Sequence, residues 1–270
     1  MVLNERYIKI EDYQHPLEER TFNALQKNFF AVETVIEYYS NIVVPQRRVD
    51  LLGKTIKVNR TQFGKIYLML KEICVLLNVP LPDVFIYEDF YYGARIGGLD
   101  EPWIEISAKT VSDFKDEELT FLLATQVARI HAGHLKTLAL IEQYRNIEHS
   151  SLGTILGSFT LGISNIISEG FLLATNKWMR VSTYSMDACG FLIVKNIRPI
   201  VNEFIKEVLN SKQLLEHVNV KDFIKQSMLI DNYHDTFSSY KKLQQEVPFT
   251  SYRIKELLRY ISSDRAKKYF

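Results

Sequence analysis

Cysteine is scarce in this chain of 270 residues, with Cys74 and Cys189 the only two. They lie far apart, each in an apolar helical context, which excludes a disulfide framework and points to buried thiols in a reducing compartment. Excess charge is also missing: 33 Lys and Arg stand against 32 Asp and Glu. A balance so near zero supplies neither the basic footprint that nucleic acid requires nor an acidic tail, so no nucleic-acid partner is expected. The opening MVLNERYIKIEDYQHP has no apolar h-region, which argues against a secretory signal and leads to the expectation of a cytoplasmic protein. Gly/Ser linkers and internal repeats are absent too. A single domain over 1–270 is therefore expected, with an N-terminal arm (1–14), N-terminal helices (15–83), a small sheet (84–107), core helices (116–195) and C-terminal helices (200–270).

One long uncharged run does occur. Residues 151–168, SLGTILGSFTLGISNIIS, approach the length of a membrane span. Seven of these eighteen residues are Ser, Thr or Asn, and Glu169 follows at once, which weakens partition into hydrocarbon. A buried helix or helical hairpin is expected over 151–174, with membrane contact as the alternative.

Elsewhere the apolar spacing sets out the elements. Leu17, Phe22, Leu25, Phe29, Val32, Val35 and Ile36 recur at steps of three and four, the pattern of an amphipathic helix with an interruption. A second helix is expected to start at Thr61, to run through Phe63, Ile66, Leu70, Ile73 and Leu77, and to stop at VPLP. VFIY at 84–87 has strand composition, and WIEIS at 103–107 alternates apolar and polar residues as a half-buried strand does. The turn residues Gly97, Gly98 and Asp100 between them suggest an antiparallel pair or meander. Asp116 is placed to cap the next helix. Around that helix Phe121, Leu122, Leu123, Ala124, Val127, Ala128 and Ile130 spread over every side, which marks it as buried. Polar Thr125, Gln126 and Arg129 then sit inside the protein. The fold class expected is α+β, mostly helical, with a small antiparallel sheet packed on this central helix.

Several motifs in order carry a resemblance. HPLEERTFNAL (15–25) is similar to an H-P-L-D opening, and LNVPLPDVFIY leads into YYGARIGG and DEELTFLLATQVARIHAGH. RVSTYSMDACG (180–190) resembles R-x-x-E-Y-x-A-D-x-x-G, and RIKEL (253–257) a closing R-I-x-x-L. Together they resemble the zinc metallopeptidases of the CaaX-prenyl-endopeptidase and HtpX-like class, in their soluble bacterial form, and so imply a zincin fold. That resemblance assigns roles which the residues do not support. In H-E-x-x-H two imidazoles one turn apart bind zinc, and the glutamate activates water. Here the ligand positions are Thr125 and Arg129, and the general base is Gln126, an amide that cannot accept a proton at neutral pH. The third ligand, a glutamate, is Thr183. The surroundings survive in Arg180, Tyr184, Asp187, Gly190 and His134. The N-A pair of the substrate-facing edge strand becomes Gly93 and Ala94, followed by Arg95.

A displaced metal site is the alternative. Catalytic zinc needs three ligands from His, Glu, Asp or Cys. His131 and His134 form an H-x-x-H pair, but on a helical wheel they lie about 240° and 180° from Thr125, whereas Arg129 lies at about 40°. They should face away. Arg129 has two open readings: a fixed cation in place of the metal, neutralised by Asp187, or an arginine that snorkels to solvent along the cleft. The resemblance and its losses imply a catalytically inactive peptidase homologue without zinc, retained to bind or regulate through a peptide or protein partner. An enzyme of another class and a membrane-peripheral module are the alternatives.

Overall fold

The computed structural model describes residues 7–146, 169–232 and 245–270. The uncharged run at 151–168 lies outside them. Residues 169–174 open the helix Glu169–Val194, and among the described residues no helix is long and apolar enough to cross a membrane.

The amphipathic stretch after Pro16 forms two helices, Glu18–Gln26 and Val32–Tyr38, separated where Ala31 adopts a left-handed backbone (φ 44°). The second continues through a π-type turn, Tyr39–Val43, into Val44–Lys54. Pro45 accounts for the widened turn, since its ring lacks an N–H and would clash with the carbonyl four residues back. The next helix is Gly64–Leu77 and starts at Gly64 rather than at Thr61. Asn59 is the reason: its Oδ1 accepts the backbone N–H groups of Thr61 and Gln62, both at 2.9 Å, and holds these residues in a turn. Left-handed Asn78 (φ 50°) ends the helix ahead of VPLP.

Four short strands, β1 (Ile56–Lys57), β2 (Asp83–Tyr87), β3 (Ala94–Gly97) and β4 (Trp103–Ser107), form one sheet in the order β1-β2-β4-β3. β1 and β3 pair antiparallel with their neighbours, but β2 and β4 run parallel, with Val84 opposite Ile104 and Ile86 opposite Ile106. The sheet is mixed, which corrects the antiparallel expectation. The segment between β2 and β4 is long enough for a crossover, and it places β3 on the outer side of β4. β4 thus has partners on both edges, and all five of its residues are buried instead of alternating. Glu105 can be buried there because Trp103 Nε1 donates to it at 2.9 Å and the Arg47 and Arg95 guanidinium groups close on its carboxylate. Burial would raise its pKa, yet the hydrogen bonds from Arg47, Trp103 and Arg95 hold it below the ordinary range.

The central helix is Asp116–His131. Its first residue is Asp116, and Lys115 holds the cap position; the capping acceptor is Glu118, whose carboxylate takes the Lys115 N–H at 2.7 Å. Every residue from Phe121 to Ala128 is buried, as an all-round apolar helix demands. It packs against Gly64–Leu77, Ile197–Leu209 and the long helix Glu169–Val194. Contact with the long helix depends on Gly190, where an added Cβ would stand 2.6 Å from the Phe121 ring. Cys74 and Cys189 are buried and unpaired. The last helices, Thr250–Ile261 and Asp264–Lys267, return to the N-terminal section. There Tyr260 donates to the Asp12 carbonyl (2.8 Å) and Tyr269 to its carboxylate (2.6 Å).

Candidate functional site

The residues at the metallopeptidase-like positions lie where the central and long helices face one another. Thr125 and Gln126 are buried in the middle of the central helix, and Thr183 is buried on the long one. Their polar atoms are used locally. The Thr125 hydroxyl donates to the Leu122 carbonyl at 2.7 Å and accepts the Gln126 amide at 3.1 Å, while the Thr183 hydroxyl donates to the Met179 carbonyl at 2.8 Å. Hydroxyls turned onto their own helix backbone offer no charge and little donor capacity to a divalent ion, and a guanidinium offers none. This set of residues does not fit zinc. Among the described residues no three His, Cys, Asp or Glu side chains come together as a metal-binding group.

Arg129 is half-buried, and its Nη1 has no hydrogen-bond partner. Burial pushes its pKa down, and the charges of Asp187 and Glu18 push it back up. Arg129 does not pair with Asp187, the first of its two open readings. Asp187 instead receives Arg253, with Nη2 at 2.8 Å from Oδ1 and Nε at 3.0 Å from Oδ2. Arg253 also reaches Glu207 at 3.0 Å and lies over the Phe204 ring at 3.9 Å. The physical reason is fit: a fork on the packed helix Thr250–Ile261 meets both carboxylate oxygens at once, which gives stronger and more specific contacts than a single prong. Burial would lower the Arg253 pKa, but Asp187 and then Glu207 hold it above its ordinary value. Beside this group Glu203 is fully buried, and burial, reinforced by Glu207, pushes its pKa well up.

The two histidines have other partners: His131 ends the central helix, and His134 lies past it, beyond left-handed Gly133, where the wheel reading no longer applies. The Tyr13 hydroxyl and His131 Nδ1 share a hydrogen bond at 2.9 Å, and burial pushes the phenol's pKa up and the imidazole's down. His134 Nε2 lies 2.6 Å from Glu18 Oε1, and the Ser185 hydroxyl donates to the other Glu18 oxygen. Ser185 Oγ in turn accepts the His15 N–H at 2.8 Å. The H-P-L-E opening thus docks onto the end of the central block and onto the long helix. Ser185, Glu18 and His134 do not form a nucleophilic triad, because the hydroxyl is hydrogen-bonded to the carboxylate and not to the imidazole. Of the other retained residues, Arg180 donates through Nη1 to the Gln245 carbonyl. The Tyr184 ring lies 5.7 Å from His15, and burial pushes its phenol up to about 12.

Among the described residues β3 is an edge strand bonded to β4 alone, and the central helix packs beside it. The Gly93 carbonyl accepts the Ser107 N–H at 3.1 Å, and the Gly93 N–H goes to Thr110 Oγ1 at 2.9 Å. Antiparallel pairing alternates, so Arg95 and Gly97 direct their main-chain groups to β4, whereas Ala94 and Ile96 direct theirs to the outer edge. Space at Gly93 is open, with nothing within 4 Å of a Cβ built there. Arg95 is held by Glu105, with Nη2 2.6 Å from the carboxylate. Arg253, Glu18 and Ser185 were not singled out from sequence. Glu18 and Arg253 sit in motifs that were noticed, but the residues they pair with are remote in the chain.

No protein-family model matches the chain, and no solved structure matches it. Among curated proteins it is similar to the plastoglobule-localized metallopeptidase 48, chloroplastic, of Arabidopsis thaliana, with 20% identity over 234 residues. The match takes in 82% of this chain and 62% of that protein, so the chain spans less than two thirds of its relative's length. These comparisons support a distant metallopeptidase-like relationship.

Proposed function

We propose that this protein is a catalytically inactive metallopeptidase homologue, a scaffold of the CaaX-prenyl-endopeptidase and HtpX-like kind that binds a peptide or protein segment without cleaving it. The observation that carries this reading is the set of groups at the four chemical positions: two hydroxyls bonded to their own helices, one amide and one guanidinium. Without metal ligands there is no Lewis acid and no activated water, and without a carboxylate at position 126 there is no proton acceptor. Binding can outlast that chemistry. An outward-facing strand edge can align an extended segment through main-chain hydrogen bonds, and β3 offers such an edge beside the central helix.

Elemental analysis of protein expressed in zinc-supplemented medium, together with a quenched fluorogenic peptide library, tests the reading. The expected result is far less than one zinc per chain and no hydrolysis above buffer. Stoichiometric zinc that survives dialysis, or cleavage abolished by chelator, would overturn it.

A further inference from the structure

We infer that the position a zinc ligand would take in a metallopeptidase has become a receptor for a carboxylate, with Arg129 as its cation. The inference deepens the peptide-binding reading and rests on it for the source of that carboxylate. It starts from an arginine left over in a charged neighbourhood. Among the described residues Arg129 enters no ion pair, and its Nη1 is buried without a hydrogen bond. Three acids are near enough for their charge to act on it, Asp187, Glu18 and Glu246. Each already has a partner of its own: Asp187 is forked by Arg253, Glu18 is held by His134 and Ser185, and Glu246 lies 2.7 Å from Arg145.

An arginine stays protonated even when burial works against it, so the charge must be met by something. A buried N–H with no acceptor favours any anion that can reach it. A planar fork matches a carboxylate better than a spherical ion. Arg129 as a residue is half-buried rather than sealed in the core, with Nη1 on its buried side. The helix that carries it also runs beside β3, whose Ala94 and Ile96 turn main-chain groups outward. An extended segment added to β3 and bearing a carboxylate satisfies both sets of unused groups. The carboxylate can be a chain terminus or an Asp or Glu side chain.

The test uses the full chain and an N-acetylated peptide of alternating valine and threonine, made as the free acid, as the C-terminal amide, and as the amide with one internal aspartate. Sodium acetate and inorganic phosphate serve as small anions. Binding is followed by isothermal titration and by the Nε–H resonance of Arg129, assigned from Arg129→Gln. The expected result is that a carboxylate-bearing peptide binds about tenfold or more tightly than the plain amide, that Arg129→Gln removes the difference, and that Arg129→Lys restores part of it. Which acid form wins assigns the source to a terminus or to a side chain. If all three peptides bind alike and Arg129→Gln changes nothing, the receptor is overturned while peptide binding stands. If no peptide binds but acetate or phosphate shifts the Arg129 resonance and raises the melting temperature of the parent protein alone, the anion site stands and the peptide reading falls. Silence to every probe overturns both.

Discussion

Asp187 and Arg253, 66 positions apart in the chain, meet as a two-pronged ion pair between the long helix and Thr250–Ile261. The pair is almost fully buried, so each partner is the reason the other can stay charged there. Asp187→Ala is expected to cost about 3–5 kcal/mol in urea unfolding, because it strands a buried guanidinium, and Asp187→Leu with Arg253→Met should cost much less. A double-mutant cycle should give a larger coupling for Asp187 with Arg253 than for Asp187 with Arg129. Equal couplings would contradict the pairing.

Gly190 sets the distance between the central and long helices. Gly190→Ala places a Cβ against the Phe121 ring, and overpacking of this kind costs about 1–3 kcal/mol. Gly53, exposed near the end of Val44–Lys54 with nothing within 4 Å, is the control. Gly53→Ala should stabilise by roughly 0.5–1 kcal/mol through helix propensity. Thermal melts of the two variants should move in opposite directions.

Glu203 predicts a pH dependence. Its folded pKa is raised by burial, and by Glu207, above the ordinary 4.5. The folded state therefore holds this proton more tightly than the unfolded chain does. The stability it contributes is complete below the ordinary glutamate pKa and is lost as pH rises through the raised value. Glu203→Gln keeps the neutral shape without the proton, so its unfolding free energy should fall less between about pH 5 and pH 8 than that of the parent. An unchanged slope in denaturant titrations across that range would show that Glu203 is not the group responsible.

Restoring the ligands tests the ancestry of the site. Protein carrying Thr125→His, Gln126→Glu, Arg129→His and Thr183→Glu together should bind about one zinc per chain, since catalytic zinc takes three protein ligands and one open position. Omitting Thr183→Glu should weaken retention on dialysis. Failure of the fourfold variant, if folded, would mean that the two helices no longer stand at a zinc-binding distance.

The buried central helix was legible because apolar residues on every side leave no solvent face. The 100° step applies to His131 but not to His134, which lies past the helix end, beyond left-handed Gly133, and is buried against Trp178. Its cap was misplaced by one residue, since Asp116 and Glu118 are equally plausible acceptors until the backbone geometry is known. Strand composition revealed WIEIS without revealing its neighbours: a parallel partner leaves no local mark, and the burial of Glu105 depends on Arg47, which is 58 positions away. The same limit applies to Asp187. Arg129 and Arg253 carry the same charge, and only the packing of Thr250–Ile261 decides between them.

The junctions made by Arg253, Tyr260 and Tyr269 have a consequence for synthesis. A ribosome delivers Asp12, the central helix and Asp187 before the segment that completes them has left the exit tunnel. Until then Asp187 has no guanidinium to face, and neither the Asp12 carbonyl nor its carboxylate has a tyrosine. The nascent helices can form, but the long helix must keep this acid hydrated. Closure of the interior is therefore a late event in synthesis, and residues 250–270 act as its latch.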